Sequence, residues 1–330
     1  MLIPAKYLLT SKITQLLQTI EANKEVIESM SIPHEIELNL RRSSTLKSAL
    51  FSARIEGNTL RLNDFPKVAS KDQRRKEVLN ILKATNNIYT RGVSKDVTKK
   101  DILNLHKTAL EGLIDRDNLG NFRQEMSAIY NKAGIAVYLP PRPQAIEGLI
   151  NKLLVFINSS KEQFGPIRAC LSHFVFEKIH PFLDGNGRVG RLLFQMVLAK
   201  GGYGMKGLVS LEEFLDAHRS DYYLSLEEPE KELSTYIEFM LEALAETSLE
   251  AKRQVLEKRQ LEASDYLLPR RAEILRIIQE QRLINFDIIR RRFLTVNERT
   301  LRYDLKQLVD AGLVKKLGTT NGVYYEAINL

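Results

Sequence analysis

The sequence has few cysteines and no long apolar runs. Cys170 is the only cysteine among 330 residues, which excludes an intramolecular disulfide and a zinc site built from several cysteines. No apolar stretch approaches the length of a membrane span. The start, MLIPAKYLLTSKITQLL, becomes polar within a few positions and has no small-residue cleavage site, so no signal peptide is expected. These absences predict a cytoplasmic protein without a membrane segment.

The composition is that of a globular protein, with 44% hydrophobic and 27% charged residues and a net charge of +8. A chain of this length can bury a sizeable core and carry two or three domains. From Leu268 to the end, 12 lysine and arginine residues stand against seven acidic ones. Such a segment suits nucleic acid or an acidic partner, and it is equally consistent with a solvated basic surface.

Apolar residues recur mostly at spacings of three and four, which predicts a mainly α fold. Helical patterns fill residues 1–98 and include a helix from about Ser44 to Glu56. The period then changes, because MSAIY and IAVYL flank the turn NKAG, and this predicts a short β-hairpin at 126–139. Helices return up to residue 248, and the charged, periodic residues 249–267 predict a linker helix.

Residues 268–330 have a pattern of their own. Two short helical stretches precede NERTLRYDLKQLVDAGL, which has an N-cap residue in Asn297 and stops at Gly312. LVKKL and VYYEA then predict a hairpin around GTTNG. Three helices and a hairpin form a winged helix-turn-helix arrangement, whose third helix would enter the major groove of DNA. The candidate DNA contacts are Arg299, Arg302, Tyr303 and Lys306; the alternative role of this domain is dimerisation or target docking.

The stretch HPFLDGNGRVGR, from His180 to Arg191, contains the glycine spacing of a dinucleotide-binding turn. A Rossmann turn follows a buried strand directly, yet the apolar residues of the preceding IRACLSHFVFEKI lie on one helical face. A Walker loop is excluded because Gly-Lys-Ser/Thr is absent. The sequence therefore predicts a helix, a short loop and a second helix from about Asn186 to Lys200.

The start of that second helix has the features of a phosphate site. Its first backbone N–H groups are unpaired and lie at the positive end of the helix dipole. Gly185 and Gly187 let the backbone approach an anion closely. Arg188 and Arg191 are three residues apart and project from the same side, which suits a polyphosphate.

The sequence also predicts roles for three further residues of this stretch. Asp184 offers the hard oxygen ligand that Mg²⁺ prefers beside phosphates. His180 precedes the loop and titrates near neutrality, which suits a general base. Phe182 is expected to pack inward and hold the loop.

These twelve residues match in full the motif of the Fic family, His-x-Phe-x-Asp/Glu-Gly-Asn-Gly-Arg-x-x-Arg. The chain resembles this family over roughly residues 43–244. Fic enzymes are helical proteins that mostly transfer AMP from ATP to a hydroxyl group of a target protein. Because the Gly-Asn-Gly-Arg core is intact, AMP is the group that the resemblance implies.

The resemblance also implies a role for each motif position. His180 would deprotonate the target hydroxyl, and Asp184 would hold Mg²⁺. The phosphates of ATP would be bound by the remaining polar and glycine positions of the motif: Asn186 with the amides of Gly185 and Gly187 for the α- and β-phosphates, and Arg188 and Arg191 for the β- and γ-phosphates.

Two further segments resemble the family. GNFRQ at 120–124, the hairpin and LPPRP look like the flap on which the target docks, where an extended segment would add as a strand. HRSDYYLSL resembles the segment near the adenine and nominates Tyr222 and Tyr223 as nucleotide contacts. Tyrosines there are equally consistent with a core position.

An upstream stretch, SARIEGN, is unusual on local grounds. Glu56 ends a helix, where a negative charge opposes the dipole, and it shares a face with Ser48 and Ser52. A solvated glutamate there costs little and needs no function. The stretch also matches the Fic inhibitory motif, Ser/Thr-x-x-x-Glu-Gly/Asn, through Ser52 and Glu56. In that family the glutamate pairs with the second motif arginine, here Arg191, and displaces the γ-phosphate.

The sequence thus predicts an autoinhibited protein adenylyltransferase that uses ATP and Mg²⁺ to modify a Tyr, Ser or Thr hydroxyl of a target or of itself. Two alternatives stay open: removal of AMP from a modified protein, and a DNA-binding regulator whose Fic core is a regulatory or toxin module. A homo-oligomer also stays open. The predicted domains are an N-terminal helical region with the inhibitory motif (1–98), a Fic core (99–248), a linker helix (249–267) and a winged helix (268–330).

Overall fold

The computed structural model describes residues 3–30, 32–91, 96–130, 136–227, 232–259, 267–281, 283–294, 296–318 and 322–328. Within these ranges the protein is mainly α-helical with two small sheets, which confirms the predicted fold class. No helix in the ranges is long and apolar enough to cross a membrane. The chain divides into two compact units, one of residues 1–30 and 39–254 and one of residues 31–38 and 255–330.

The larger unit is a bundle of ten helices within the described ranges. The first residues of the second helix and the last residues of the tenth belong to the smaller unit. In chain order the helices are α1 (Ser11–Ser29), α2 (His34–Ile55), α3 (Gln73–Arg91), α4 (Lys99–Ala109), α5 (Pro143–Asn158), α6 (Gly165–Ile179), α7 (Asn186–Lys200), α8 (Leu211–Ala217), α9 (Arg219–Glu227) and α10 (Ser234–Arg259). α10 runs without a break into the predicted linker, whose residues 260–266 lie outside the described ranges.

Helices α6 and α7 form the centre of the larger unit and pack against each other, and α7 also contacts α3 and α4. The expectation that the apolar residues of α6 occupy one face was wrong. The helix is buried on nearly all sides, and even Ser172 and His173 have no exposed surface. A helix hydrophobic all round belongs in the middle of a core, where no face meets water.

The loop between α6 and α7 turns sharply at both ends. His180 ends α6 with φ 48° and ψ 60°, a left-handed conformation that is uncommon for a residue other than glycine. Gly185 precedes α7 with φ 82°, and a Cβ atom there would lie 2.7 Å from the side chain of Leu110. Both the backbone angle and the close packing therefore require glycine at position 185.

The predicted hairpin is present as strands β1 (Ile129–Tyr130) and β2 (Ala136–Tyr138), which pair antiparallel. Its turn, residues 131–135, lies outside the described ranges. Val137 and the adjoining Leu139 are exposed. Because these two residues are two positions apart, the hairpin thus presents exposed apolar side chains on one face.

The smaller unit has the predicted order of three helices and a hairpin. Its elements are α11 (Pro269–Gln281), β3 (Leu283–Asn285), α12 (Phe286–Arg292), α13 (Glu298–Asp310), β4 (Val314–Leu317) and β5 (Tyr324–Ala327). The strands form one antiparallel sheet in the order β3-β5-β4. The sequence missed β3, since three residues are too few to show an alternating pattern. As predicted, α13 starts at the N-cap residue Asn297 and stops at Gly312, whose φ is 72°.

Candidate active site

Phe182 and His106 hold the loop 180–185 from inside the protein. Phe182 has no exposed surface, which confirms the predicted inward packing, and its ring stacks on His106 with centroids 3.8 Å apart. His106 Nδ1 accepts the N–H of Gly120 at 2.9 Å, so Nε2 carries the proton and donates to the carbonyl of Asp184 at 3.1 Å. Burial lowers the pKa of His106 to about 4. The imidazole is therefore neutral at pH 7 and can make both hydrogen bonds, one as acceptor and one as donor.

Arg123, in the segment GNFRQ, ties the loop to the chain beside the hairpin. Its Nε donates to the carbonyl of His180 at 2.8 Å, and its backbone N–H donates to the carbonyl of Pro181 at 2.9 Å. The remaining guanidinium nitrogens donate to the carbonyls of Glu125 and Pro141. Arg123 is 4% exposed, so one buried side chain fixes the backbone at the candidate base.

His180 has the protonation state that a base requires. Its Nδ1 lies 3.3 Å from the carbonyl of Glu177 and can donate to it, which leaves the lone pair on Nε2. Burial lowers the pKa of His180 to about 4, although the bond to Glu177 opposes the shift. Titration near neutrality was expected from the sequence, and desolvation of the charged form explains the difference.

Asn186, the first residue of α7, directs its side chain to the loop. Its Oδ1 accepts the N–H of Phe182, and its Nδ2 donates to the carbonyl of Phe182, both at 2.8 Å. The side chain is therefore engaged within the protein. A contact of Asn186 with a phosphate, as the family resemblance implies, has the backbone N–H and the second hydrogen of Nδ2 as its donors.

Arg191 is the most enclosed of the charged motif side chains, with 1% of its surface exposed. Its Nε donates to Ser52 Oγ at 3.0 Å, and its Nη2 donates to the carbonyl of Ser52 at 2.9 Å and to Glu56 Oε1 at 2.8 Å. Its Nη1 has no hydrogen-bond partner among the described residues. Burial, the largest single effect, lowers the pKa of Arg191, but Glu56, Tyr222 and Glu177 together outweigh it and the net shift is upward.

The carboxylate of Glu56 lies over the start of α7. A Cβ atom at Gly187 would stand 2.4 Å from Glu56 Oε1. Helix α2 ends just before Glu56, with Gly57 at φ 103° and Gly57 and Asn58 donating to the carbonyls of Arg54 and Ala53. This Schellman turn fixes where Glu56 points. The negative charge of Glu56, which is unfavourable at the end of α2, therefore lies next to Arg191 and next to the positive N-terminal end of α7.

Asp184 and Arg188 flank the other side of the same helix start. Asp184 Oδ1 accepts the N–H of Gly185 at 2.5 Å and Arg188 Nη2 at 2.9 Å, while the carboxylate stays 58% exposed. Mg²⁺ commonly takes one or two carboxylates together with phosphates and water. An exposed carboxylate beside a helix N-terminus fits that requirement, and the described residues hold no cluster of three or more metal-binding side chains.

The two tyrosines of HRSDYYLSL have different environments. Tyr222 is 1% exposed, and its hydroxyl lies 3.0 Å from His173 Nε2, so it packs in the core. Its contact with the nucleotide stays a prediction. Tyr223 is 36% exposed and donates its hydroxyl to the carbonyl of Ile55 at 3.1 Å. Tyr223 therefore borders the turn that carries Glu56.

Sequence reasoning missed three polar residues that position the site. They are His106 of α4, Arg123 before the hairpin and Glu77 of α3, which accepts Arg188 Nη1 at 2.6 Å. Each is a single polar residue in an ordinary helical or loop pattern. Only the fold brings them to the motif.

The candidate DNA contacts lie together on α13 of the smaller unit. Arg299, Arg302, Tyr303 and Lys306 are all exposed, whereas Leu301, Leu305 and Leu308 of the same helix are buried. The guanidinium of Arg302 lies 3.9 Å from the ring centre of Phe286. The helix therefore presents a mostly basic face to solvent.

Comparison with known proteins matches the motif region to one family. The model of the Fic/DOC family matches residues 96–198. Among curated proteins, the protein adenylyltransferase Fic of Drosophila mojavensis is 29% identical over 212 residues, which make up 59% of this chain and 40% of that protein. A probable protein adenylyltransferase of Aquifex aeolicus is 33% identical over 84 residues, 26% of each chain. This chain thus spans less than half the length of either relative.

Solved structures share the fold. A Fic family protein from Desulfovibrio desulfuricans is 22% identical in sequence and superimposes with a TM-score of 0.67. The match covers 98% of this chain and 98% of that one. Residues 134–508 of Fic-1 from C. elegans are 19% identical with a TM-score of 0.58, over 75% of this chain and 72% of that one. Together with the complete motif at the α6–α7 loop, these findings show that the chain carries a Fic domain within a mainly helical fold shared with Fic family proteins.

Proposed function

We propose that this protein is an autoinhibited protein adenylyltransferase, which transfers AMP from ATP to a hydroxyl group of a target protein or of itself. The observation that carries the proposal is the pairing of Glu56 with Arg191 directly over the start of α7. The names of the curated relatives support the transfer of an adenylyl group.

In the proposed reaction, His180 Nε2 takes the proton of the target hydroxyl. The hydroxyl oxygen attacks the α-phosphorus of ATP, the bond from that phosphorus to the bridging oxygen breaks, and pyrophosphate leaves. A base with a pKa of about 4 is fully unprotonated at pH 7 and holds the proton only transiently. The fixed tautomer and the carbonyl contact to Arg123 keep the imidazole in one orientation.

The phosphates would be bound at the start of α7. Its free backbone N–H groups, Arg188 and Arg191 supply positive charge in a site that is mostly buried, where such groups act without reorganising. Asp184 would hold Mg²⁺, which neutralises phosphate charge as the leaving group departs. Asn186 contributes by fixing the loop through its pair of bonds to Phe182.

Inhibition follows from competition between two anions. Glu56 and the γ-phosphate both need the guanidinium of Arg191, and the Glu56 carboxylate also occupies the space above Gly187. A buried arginine that already donates to Ser52 and Glu56 cannot hold a phosphate in the same direction. ATP would then bind with its γ-phosphate displaced and its α-phosphate out of line.

The target would dock on the hairpin 126–139. Residues of the segment that precedes the hairpin, among them Phe122 and Gln124, line a cavity of about 420 Å³ together with Leu183. Leu183 belongs to the motif loop and is 48% exposed. An extended segment paired with the hairpin edge would pass this cavity and bring its hydroxyl toward His180.

The experiment that tests the proposal is labelling of lysate proteins by the Glu56→Gly variant. ATP labelled at the α-phosphate should label target proteins above the level of the lysate alone. ATP labelled at the γ-phosphate should add no label above that level, because pyrophosphate leaves. His180→Ala in the same background is the control and should give no label. Label from the γ-phosphate alone would identify phosphate transfer and refute the proposal.

A second candidate activity is removal of AMP from a modified protein. The observation that favours it is that Glu56 keeps 29% of its side chain exposed at the site, where a carboxylate can orient water. Wild-type protein would then release AMP from a pre-labelled target, and Glu56→Gly would not. Equal release by both proteins would contradict this role of Glu56.

The smaller unit supports a separate proposal, binding of duplex DNA through α13. The observation is the exposed face of Arg299, Arg302 and Lys306. Affinity of the full chain for duplex DNA should fall as salt rises, and replacing the three residues by alanine should reduce the salt dependence. Absence of binding to any duplex at low salt would favour the dimerisation or docking role.

A further inference from the structure

Glu77, on α3, uses its two carboxylate oxygens for two different parts of the candidate site. Oε1 accepts Arg188 Nη1 at 2.6 Å, and Oε2 accepts Asn58 Nδ2 at 2.8 Å. The side chain of Glu77 is 15% exposed and that of Arg188 is 9% exposed. One mostly buried carboxylate thus contacts both a motif arginine and the turn that follows Glu56.

Arg188 is held at both ends of its guanidinium. Nη1 bonds to Glu77, and Nη2 bonds to Asp184 on the motif loop. An arginine side chain otherwise has many rotamers, and two fixed charge-assisted bonds select one of them before a ligand arrives. Without Glu77, Arg188 would keep only the bond to the half-exposed Asp184.

Asn58 fastens the Glu56 turn to α3. Its Nδ2 donates to the carbonyl of Arg74 at 2.9 Å as well as to Glu77, and its Oδ1 accepts the N–H of Leu60 at 3.0 Å. Its backbone N–H closes the end of α2 on Ala53. A backbone movement that carried the Glu56 turn away from α7 would therefore break the bonds of Asn58.

Helix α3, which carries Glu77, is hydrogen-bonded to the segment that follows α4. Asn80 Nδ2 donates to the carbonyl of Glu111 at 2.9 Å, and Lys76 Nζ donates to the carbonyl of Gly112 at 3.1 Å. Both acceptors follow α4, which also carries the loop-holding His106. The position of Glu77 relative to the motif is thus set by the core of the larger unit.

We propose that Glu77 is a positioning residue: one oxygen orients Arg188 toward the nucleotide phosphates, and the other holds, through Asn58, the turn that keeps Glu56 on Arg191. This proposal rests on the proposed adenylyltransferase function. It assigns the two effects to separate partners of one carboxylate, so variants separate them. Asn58→Ala loosens the turn but leaves the charged carboxylate of Glu77 on Arg188, whereas Glu77→Gln removes the charge that Arg188 needs and also changes the partner of Asn58.

The first test measures ATP affinity by calorimetry in the Glu56→Gly background, where Glu56 no longer competes. Glu77→Gln should weaken ATP binding about tenfold, the range expected for loss of one charge-assisted bond. The matched control is Asn23→Ala on α1, which removes buried hydrogen bonds to Ser248 and to the carbonyl of Ala245 and should lower the unfolding temperature without changing ATP affinity. In a background that also contains Arg188→Ala, Glu77→Gln should cause no further loss.

The second test measures AMP transfer by Asn58→Ala. In the otherwise wild-type protein the rate should rise several-fold, and in the Glu56→Gly background it should not change. Unchanged ATP affinity in Glu77→Gln, or a further loss in the Arg188→Ala background, would overturn the positioning of Arg188. Equal effects of Asn58→Ala in both backgrounds would overturn the link to Glu56. If Glu56→Gly binds ATP but transfers no AMP, the proposed function fails while the affinity result still decides the role of Glu77.

Discussion

His180 and Arg191 are the residues on which the proposed chemistry depends most directly, and burial shapes both. The motif and its two arginines could be identified from the sequence, because their spacing is local. The pKa of His180 could not, because it depends on how the loop packs against α4 and Arg123. The same holds for Asn186, whose bonds to Phe182 arise from the turn geometry.

Replacement of His180 by alanine should abolish AMP transfer while ATP binding persists. His180 contacts no group of the phosphate site, and loss of one general base costs about 10²–10⁴-fold in rate. The measurement compares AMP transfer and ATP affinity of Glu56→Gly with and without His180→Ala. Unchanged labelling would rule out His180 as the base.

The imidazole of His180 should titrate with a midpoint near pH 4, well below the ordinary value of 6.5. Because its folded pKa is lowered, its contribution to stability is complete above about pH 6.5 and is lost as the pH falls through 4. Proton NMR of the histidine ring signals measures the midpoint, and the spectrum of His180→Ala assigns the signal. A midpoint near 6.5 would show that the imidazole is solvated.

At the scale of elements, the ends of α7 and α13 could be predicted from the sequence, whereas the start of α2 and the buried faces could not. The bounds of α7 follow from Gly185 and Gly201, which are local signals. The all-round burial of α6 and the strand β3 depend on neighbours distant in the chain, and α2 begins earlier than expected at His34. Local patterns therefore predicted where the site starts but not what surrounds it.

Substitution of Gly185 by alanine should disrupt the loop between α6 and α7. The new Cβ would lie 2.7 Å from Leu110, in addition to the backbone strain at φ 82°, which costs about 1–2 kcal/mol. Gly202→Ala is the matched control, since Gly202 has φ 84° but open space around it. Thermal unfolding should show a larger loss for Gly185→Ala. Equal losses would mean that Leu110 yields at no cost.

At the scale of the whole molecule, the chain consists of two units with separate cores. Every residue of the buried cluster in the smaller unit lies between Ile274 and Tyr325. The predicted boundary at residue 268 stays a prediction, while the compact units place residues 31–38 with the C-terminal part. The three helices and the hairpin could be predicted from local caps and turns. The sequence has no local feature from which the inclusion of residues 31–38 in this unit could be predicted.

The isolated segment Leu268–Leu330 should fold by itself. It contains the whole buried cluster and the internal pair of Arg271 with Asp304. It loses the pair of Arg271 with the half-exposed Glu35 and the packing of Leu267 against the cluster. Circular dichroism should show helix content and a cooperative unfolding transition. A segment of residues 255–330 is the control, because it adds the residues before Leu268 that belong to the same unit. If both segments are unfolded, the C-terminal part does not fold independently.

The central claim is that Glu56 inhibits AMP transfer by pairing with Arg191. The most direct measurement is the initial rate of AMP incorporation from α-labelled ATP by wild type and Glu56→Gly at equal ATP and Mg²⁺. A charge-assisted pair can supply about 1.4 kcal/mol or more, so the variant should be faster by well over tenfold. Adding Arg191→Ala should remove most of the gain, because the freed partner is then missing. Comparable rates for wild type and Glu56→Gly would contradict the claim and leave Glu56 a surface residue.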